Sequence, residues 1–306
     1  MPKQKTILVT GASGSLGNEL IEQLSLQTKY RILALTSNKE KVLSRFSHIK
    51  QLEVYSVKDW EGGNVPRDKI DVLIHCAFTT ALKGEELASS LDFTRAILED
   101  AKERKISSII NISSRSVYGS KHKPLWKETT PVCPETLYAM AKYSSELLVK
   151  SIALKDKATN FTNIRLSSLI GNGQEMRVVT TFVQNSLKDQ TIKIIGGKQL
   201  FSYLDVRDAA GGIIALLSIE PSKWNEVYNL GSDKRYSIIE IAEIVSDVAR
   251  EYTGASVKIE IEEKEIALDI GMDSGLFYEH TGWIPKYNMR ATVESLFEHS
   301  CKIIRG

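Results

Sequence analysis

The chain has 306 residues, with 40 Lys and Arg against 38 Asp and Glu and a formal net charge of +2. That length allows a large core and one or two domains, and the near-neutral balance offers no field for nucleic acid or a membrane surface. The three cysteines, Cys76, Cys133 and Cys301, are far apart and odd in number, which fits a reducing, cytoplasmic setting without a disulfide framework or a metal spacing. Met1-Pro2-Lys3-Gln4-Lys5 leads straight into an apolar run, so no signal peptide is expected. No apolar run is long enough to span a bilayer.

Residues 6–10 (TILVT) are short, apolar and β-branched, the pattern of a buried parallel strand. Gly11, Gly14 and Gly17 follow at once, and then a helix to about residue 27. Residues 31–35 are a second strand, 39–46 a short helix, 51–57 a third strand, and Gly62-Gly63 with Pro66 a turn. Residues 70–76 are a fourth strand, 85–103 a long helix, 106–112 a fifth strand, 135–154 a helix and 160–166 a sixth strand. Strands alternating with helices predict an α/β fold on a doubly wound parallel sheet. Beyond Gly171 the alternation loosens. Helices are expected at 178–188, 205–217 and 238–252, and strands at 191–195, 226–230 and 257–261. The remainder reads as helical, broken at Trp283-Ile284-Pro285. Residues 1–171 are expected to form the nucleotide-binding domain, with 204–232 returning to it. Residues 172–203 and 233–306 are expected to form a smaller α/β substrate lobe over the strand ends, where ligands of such sheets bind.

Two motifs carry the chemistry. In the glycine run, Gly11 permits a tight exit from the strand, Gly14 lets backbone approach a pyrophosphate, and Gly17 lets the helix pack closely. The free amides at the helix start face the anion. Further on, Tyr138 and Lys142 lie four apart on one predicted helix and share a face. An ammonium nearby lowers a tyrosine pKa and makes the phenol a usable base. Alone, this spacing is equally that of an amphipathic helix with one aromatic and one surface lysine. Upstream, the fifth strand exits through Ser113-Ser114-Arg115-Ser116-Val117-Tyr118-Gly119, which puts a serine hydroxyl where ligands of such sheets sit.

Glycine run, strand-end serine and Tyr-x-x-x-Lys, in that order, resemble the extended short-chain dehydrogenase/reductase family in its NAD-dependent epimerase/dehydratase branch. The similarity extends through residues 72–77, 164–171, 203–210, 228–231 and 282–285. It implies a Rossmann sheet and a catalytic triad of Ser114, Tyr138 and Lys142. It implies cofactor contacts from Gly11, Ser13, Gly14, Ser15, Leu16 and Gly17. At the adenosine end it implies Thr36, Ser37, Lys39, Ser56 and Val57; nearer the reaction, Cys76 and Ala77 beside His75, with Tyr138 and Lys142. Ser116, Ser168 and Phe201 are the implied substrate contacts.

Departures from the family pattern narrow the expectation. The acid that usually ends the second strand is Thr36 here, and with Ser37 and Lys39 beside it the cofactor, NAD or NADP, tilts toward NADP. Arg115-Ser116 replaces the Asp-Glu pair of 4,6-dehydratases, which disfavours dehydration. Phe201 stands where epimerases commonly carry a diphosphate-clamping arginine, and a second such arginine is missing near residues 262–265. The leading expectation is a sugar-nucleotide epimerase acting by transient oxidation. The alternatives are an NADP-dependent ketoreductase on a keto-sugar or other non-nucleotide substrate, and a non-catalytic NADP(H)-sensing module. The expected partner is a small sugar derivative, with no nucleic acid or membrane; a second copy of the chain, forming a homodimer, is a further candidate.

Overall fold

The computed structural model describes residues 4–66, 69–81, 83–155, 159–173 and 177–305. Met1, Pro2 and Lys3, the start of the segment read for a targeting signal, lie outside the described residues.

In chain order the elements are β1 (Lys5–Thr10), α1 (Ser15–Ser25), β2 (Tyr30–Thr36), α2 (Lys39–Phe46), β3 (Leu52–Ser56), α3 (Val57–Glu61), β4 (Val72–His75), α4 (Gly84–Glu103) and β5 (Ser108–Ser114). A 3-10 turn at Arg115–Tyr118 precedes α5 (Leu137–Lys155), β6 (Asn160–Leu166), β7 (Ser168–Ile170), α6 (Val178–Leu187), β8 (Ile192–Ile195), β9 (Leu200–Asp205) and α7 (Val206–Leu216). Then come β10 (Val227–Leu230), β11 (Arg235–Ser237), α8 (Ile238–Thr253), β12 (Ile259–Glu262), β13 (Asp269–Ile270), α9 (Gly275–Thr281) and α10 (Met289–Arg305).

Seven strands form one parallel sheet in the order β10-β6-β5-β4-β1-β2-β3. β1 is buried from Thr6 to Thr10, because helices cover both faces of the sheet and leave no polar side for alternation. On one face α1 packs with α7, and on the other α4 packs with α5. The strand order reverses between β1 and β4, so the crevice outside their carboxyl ends is the switch point where such sheets bind ligands. There the two loops touch: a Cβ on Gly11 would stand 2.7 Å from the Ala77 nitrogen. A second cluster gathers Val179, Phe182, Val183, Ile241, Val245, Val293 and Phe297 from α6, α8 and α10. Beside it, β11-β9-β13 with β7, and the pair β8-β12, form two small sheets.

Several expectations need correction. β5 ends at Ser114, not at residue 112, because its register with β6 continues to Ser114 opposite Leu166. The third strand stops at Ser56, where the Ser56 side chain and Asp59 form a capping box that starts α3. Asp205 does not open a helix but ends β9 and caps α7, its carboxylate accepting from the Arg207 amide. The region after residue 262 is not helical throughout: β13 pairs with β9 before α9 begins.

Candidate active site

The nucleotide groove is built from the glycine turn upward. Gly11 has φ +68°, the left-handed region glycine enters without cost. A Cβ on Gly17 would stand 2.3 Å from the Gly11 carbonyl oxygen, so only glycine lets α1 seat against the turn. Gly14 caps α1 without a side-chain hydrogen bond, and the first turn of this 11-residue helix carries no acid. Its first amides therefore have no acceptor within the helix and open toward the crevice, where Gly14, Ser15, Leu16 and Gly17 line the wall. A pyrophosphate fits this cradle by charge and by shape.

Two clefts meet at Gly11, Gly14, Cys76 and Phe78. One, of about 420 Å³, runs toward the ends of β2 and β3 past Ser13, Thr36, Ser37, Val57 and Ala77. The other, of about 400 Å³, runs toward β5 and α5. In the first, Thr36 is buried and accepts from the Asn38 amide at 3.0 Å, while Ser37 is exposed. Lys39 is paired with Asp59 at 3.0 Å, and Ser56 is occupied by its cap. Lys39 is thus committed to a carboxylate, and the tilt toward NADP finds no support here.

The second cleft brings Ser114, Ser116, Tyr138, Lys142 and Ser168 together. Ser114 ends β5, and its Oγ accepts from the Ser116 amide at 3.2 Å and the Ser116 hydroxyl at 2.9 Å. Thr136 holds the start of α5 by accepting from the Ala139 amide at 3.1 Å. Tyr138 and Lys142 then project from one face. Burial pushes the Tyr138 phenol above its ordinary value, opposed by a hydrogen bond with Ser114 and by the charges of Arg177 and Arg115. Lys142 donates from Nζ to the Ile112 carbonyl at 2.8 Å and stands 3.9 Å from the centre of the Phe78 ring. Burial brings its ammonium down to about 7, against the upward pull of Cys76 and Glu146. The cations that favour the Tyr138 phenolate in this arrangement are therefore arginines, where the sequence suggested Lys142. Burial pushes the Cys76 thiol up to about 12, so it lines both clefts as a neutral group.

Two implied residues stand elsewhere. His75 is buried between the hydroxyls of Thr10 and Thr94, at 2.8 and 3.0 Å, and faces the core. Phe201 packs on the second hydrophobic cluster beside Tyr203, their ring centres 5.9 Å apart. Phe78 was missed. It lines both clefts and meets Tyr138 edge-on at 6.3 Å, and its position just past the β4 motif was the available signal. Arg115 registered only as a departure from an acidic pair, yet its guanidinium lies in the cleft and donates from Nε to Ser168 Oγ at 3.1 Å.

Fold and site together define a nucleotide-binding α/β protein whose groove crosses the switch point into a Ser-Tyr-Lys cluster. The chain belongs to the NAD dependent epimerase/dehydratase family, whose model matches residues 7–231. It is an enzyme chain of nicotinamide-nucleotide chemistry. It is 24% identical to an uncharacterized UDP-glucose epimerase of Bacillus subtilis (strain 168), over 79% of this chain and 82% of that one. Its fold is shared with UDP-glucose 4-epimerase from Bifidobacterium longum, solved with NAD+ and UDP, at TM-score 0.82 and 20% identity over 99% and 100% of the two chains. It is likewise shared with UDP-glucuronic acid 4-epimerase from Bacillus cereus, solved with UDP-glucuronic acid and NAD, at TM-score 0.83 and 20% identity over 97% and 99%. No described helix is long and apolar enough to cross a membrane.

Proposed function

We propose that this chain is a sugar-nucleotide epimerase working by transient oxidation, with NAD as its cofactor. The observation that carries the reading is one cleft lined at once by Gly14, Ser114, Tyr138 and Lys142. Gly14, Ser15, Leu16 and Gly17 at the start of α1 would hold a nicotinamide nucleotide, which would supply a reversible hydride acceptor for the substrate carbon. Tyr138 Oη takes the proton of the substrate hydroxyl as that carbon is oxidised, and gives it back when the carbon is reduced from its other face. Arg115 and Arg177 favour the phenolate that this requires. Ser114 hydrogen-bonds the substrate oxygen as it becomes a carbonyl. Lys142, fixed by Ile112 and Phe78, keeps a further N–H to offer a ribose hydroxyl in either charge state. NAD is favoured because Lys39 is already paired with Asp59, and because the two solved relatives described above hold it. Residues 172–203 and 233–306 then serve as the lobe that closes on the sugar.

A second reading, a ketoreductase using the same side chains in one direction, is favoured by Phe201, which offers no charge to a diphosphate. One experiment separates the two. The purified protein is mixed with UDP-glucose or UDP-glucuronate and no added cofactor, and a second portion is denatured to identify released nucleotide. Epimerised product with bound NAD is expected. An empty site, no epimerisation, and turnover only with supplied NADPH and a ketone would replace this reading with the reductase.

A further inference from the structure

The reacting end of the cleft concentrates basic side chains beyond the one, Lys142, that the sequence motif predicts. Its described lining contains Arg115, Lys142 and Arg177 and no carboxylate. Every other arginine whose side chain is described is ion-paired, from Arg31 with Glu53 to Arg290 with Glu251. Arg115 and Arg177 alone have no acidic partner among the described residues, and both line this cleft. Arg115 is the more enclosed of the two. Its position is set by the turn that begins at Ser114 and by Nε donating to Ser168 Oγ at 3.1 Å. With Nε engaged, the two terminal nitrogens remain to grip an anion. A guanidinium does this best as a pair of parallel bonds to a carboxylate or phosphate. Arg115 is half-buried, and an anionic ligand that pairs with its guanidinium offsets the hydration it has lost.

We propose that Arg115, supported by Arg177, is a specificity-determining anion site, and that the substrate carries a carboxylate on the sugar ring beside the carbon that is oxidised. The substrate class is then a nucleotide-linked hexuronate, in preference to a neutral hexose. This rests on the epimerase reading. A carboxylate is favoured over the substrate diphosphate because Arg115 directly follows Ser114 and shares a wall with Tyr138. The group beside those hydroxyls is part of the reacting ring, and the diphosphate lies across the ring from it.

The test measures affinity for UDP-glucuronate, UDP-glucose and UDP by calorimetry, and kcat/KM for the two sugars, on the wild type, Arg115→Gln and Arg115→Lys. Circular dichroism verifies folding of each. The wild type is expected to favour UDP-glucuronate by about tenfold or more, the scale of one charge-assisted pair. Arg115→Gln should lose that preference while its affinity for UDP holds, and Arg115→Lys should keep part of it. A preference that is absent from the wild type, or unchanged in Arg115→Gln, overturns the inference and leaves the epimerase reading standing. Equal losses for UDP and UDP-glucuronate also overturn it, by assigning Arg115 to the diphosphate. If the wild type neither binds nor converts any of the three, the epimerase reading falls too, and that failure appears before any variant is made.

Discussion

The ammonium of Lys142 donates to the Ile112 carbonyl oxygen at 2.8 Å, joining α5 to the end of strand β5 two residues before Ser114. The bond fixes the lysine against the strand whose end carries the serine, so the two candidate catalytic elements move as one. Lys142 is 5% exposed, and burial brings its ammonium down to about 7 from the ordinary 10.5. The direction of the resulting pH dependence follows. Between about 7 and 10.5 the unfolded chain holds the proton and the folded chain does not, so stability contributed at this site rises with pH across that window. In the cofactor-free protein, the unfolding free energy of the wild type minus that of Lys142→Met should climb with a slope approaching about 1.4 kcal/mol per pH unit. Urea titrations from neutral to alkaline pH measure it, and a flat difference would mean Lys142 stays charged.

In the proposed mechanism Tyr138 is the group that moves the proton. Tyr138→Phe keeps the ring and its edge contact with Phe78 but removes the acidic hydroxyl. Turnover should fall by about 10² to 10⁴, the range for a lost general base, while nicotinamide nucleotide binding holds. Steady-state rates with calorimetry of the cofactor verify the split.

The glycine turn gives a structural prediction. The Cβ of Gly17→Ala would lie 2.3 Å from the Gly11 carbonyl oxygen and 2.8 Å from the Ala12 Cα. Both are backbone atoms that cannot rotate away, so α1 must lift from β1. A cost of about 1–3 kcal/mol, typical of overpacking, is expected, together with weaker cofactor binding because the helix amides shift. Thermal unfolding and NAD titration of the variant read the two effects.

Beneath the site, Arg165 and Glu146 form a two-pronged pair at 2.9 and 2.7 Å, and Ser113 donates to the same carboxylate at 2.5 Å. Their side chains are 5% and 4% exposed. Removing one partner leaves a buried charge, so Glu146→Gln should destabilise by about 3–5 kcal/mol. Arg165→Met in the same chain should recover part of that loss. Chemical denaturation of the single and double variants tests both.

The sequence was most informative where one local pattern served one structural purpose. β1, the glycines and α1 are legible together because an apolar run, a turn with positive φ and an uncapped helix start each leave their own residue signature. α2 and β6 match their expected bounds for the same reason. β7, β11 and β13 escaped because strands of two or three residues have no periodicity to read, and their pairing with β9 is tertiary. α3 escaped although its capping box, Ser56 with Asp59, was there to be seen. In the site, Ser114, Tyr138 and Lys142 were legible as a motif and meet in one cleft. Arg115 and Phe78 were not, because their significance is relational: one has no acidic partner among the described residues, and the other touches both Tyr138 and Lys142.

The most direct test of transient oxidation follows the hydrogen on the carbon that inverts. A UDP-sugar carrying deuterium there is converted by the purified enzyme in ordinary water, and the product is analysed by mass spectrometry. Removal and return of a hydride within the closed cleft predicts that the deuterium stays on the inverted carbon. Loss of the label to solvent would contradict the account, since inversion would then proceed by proton abstraction from carbon and Tyr138 would have a different role.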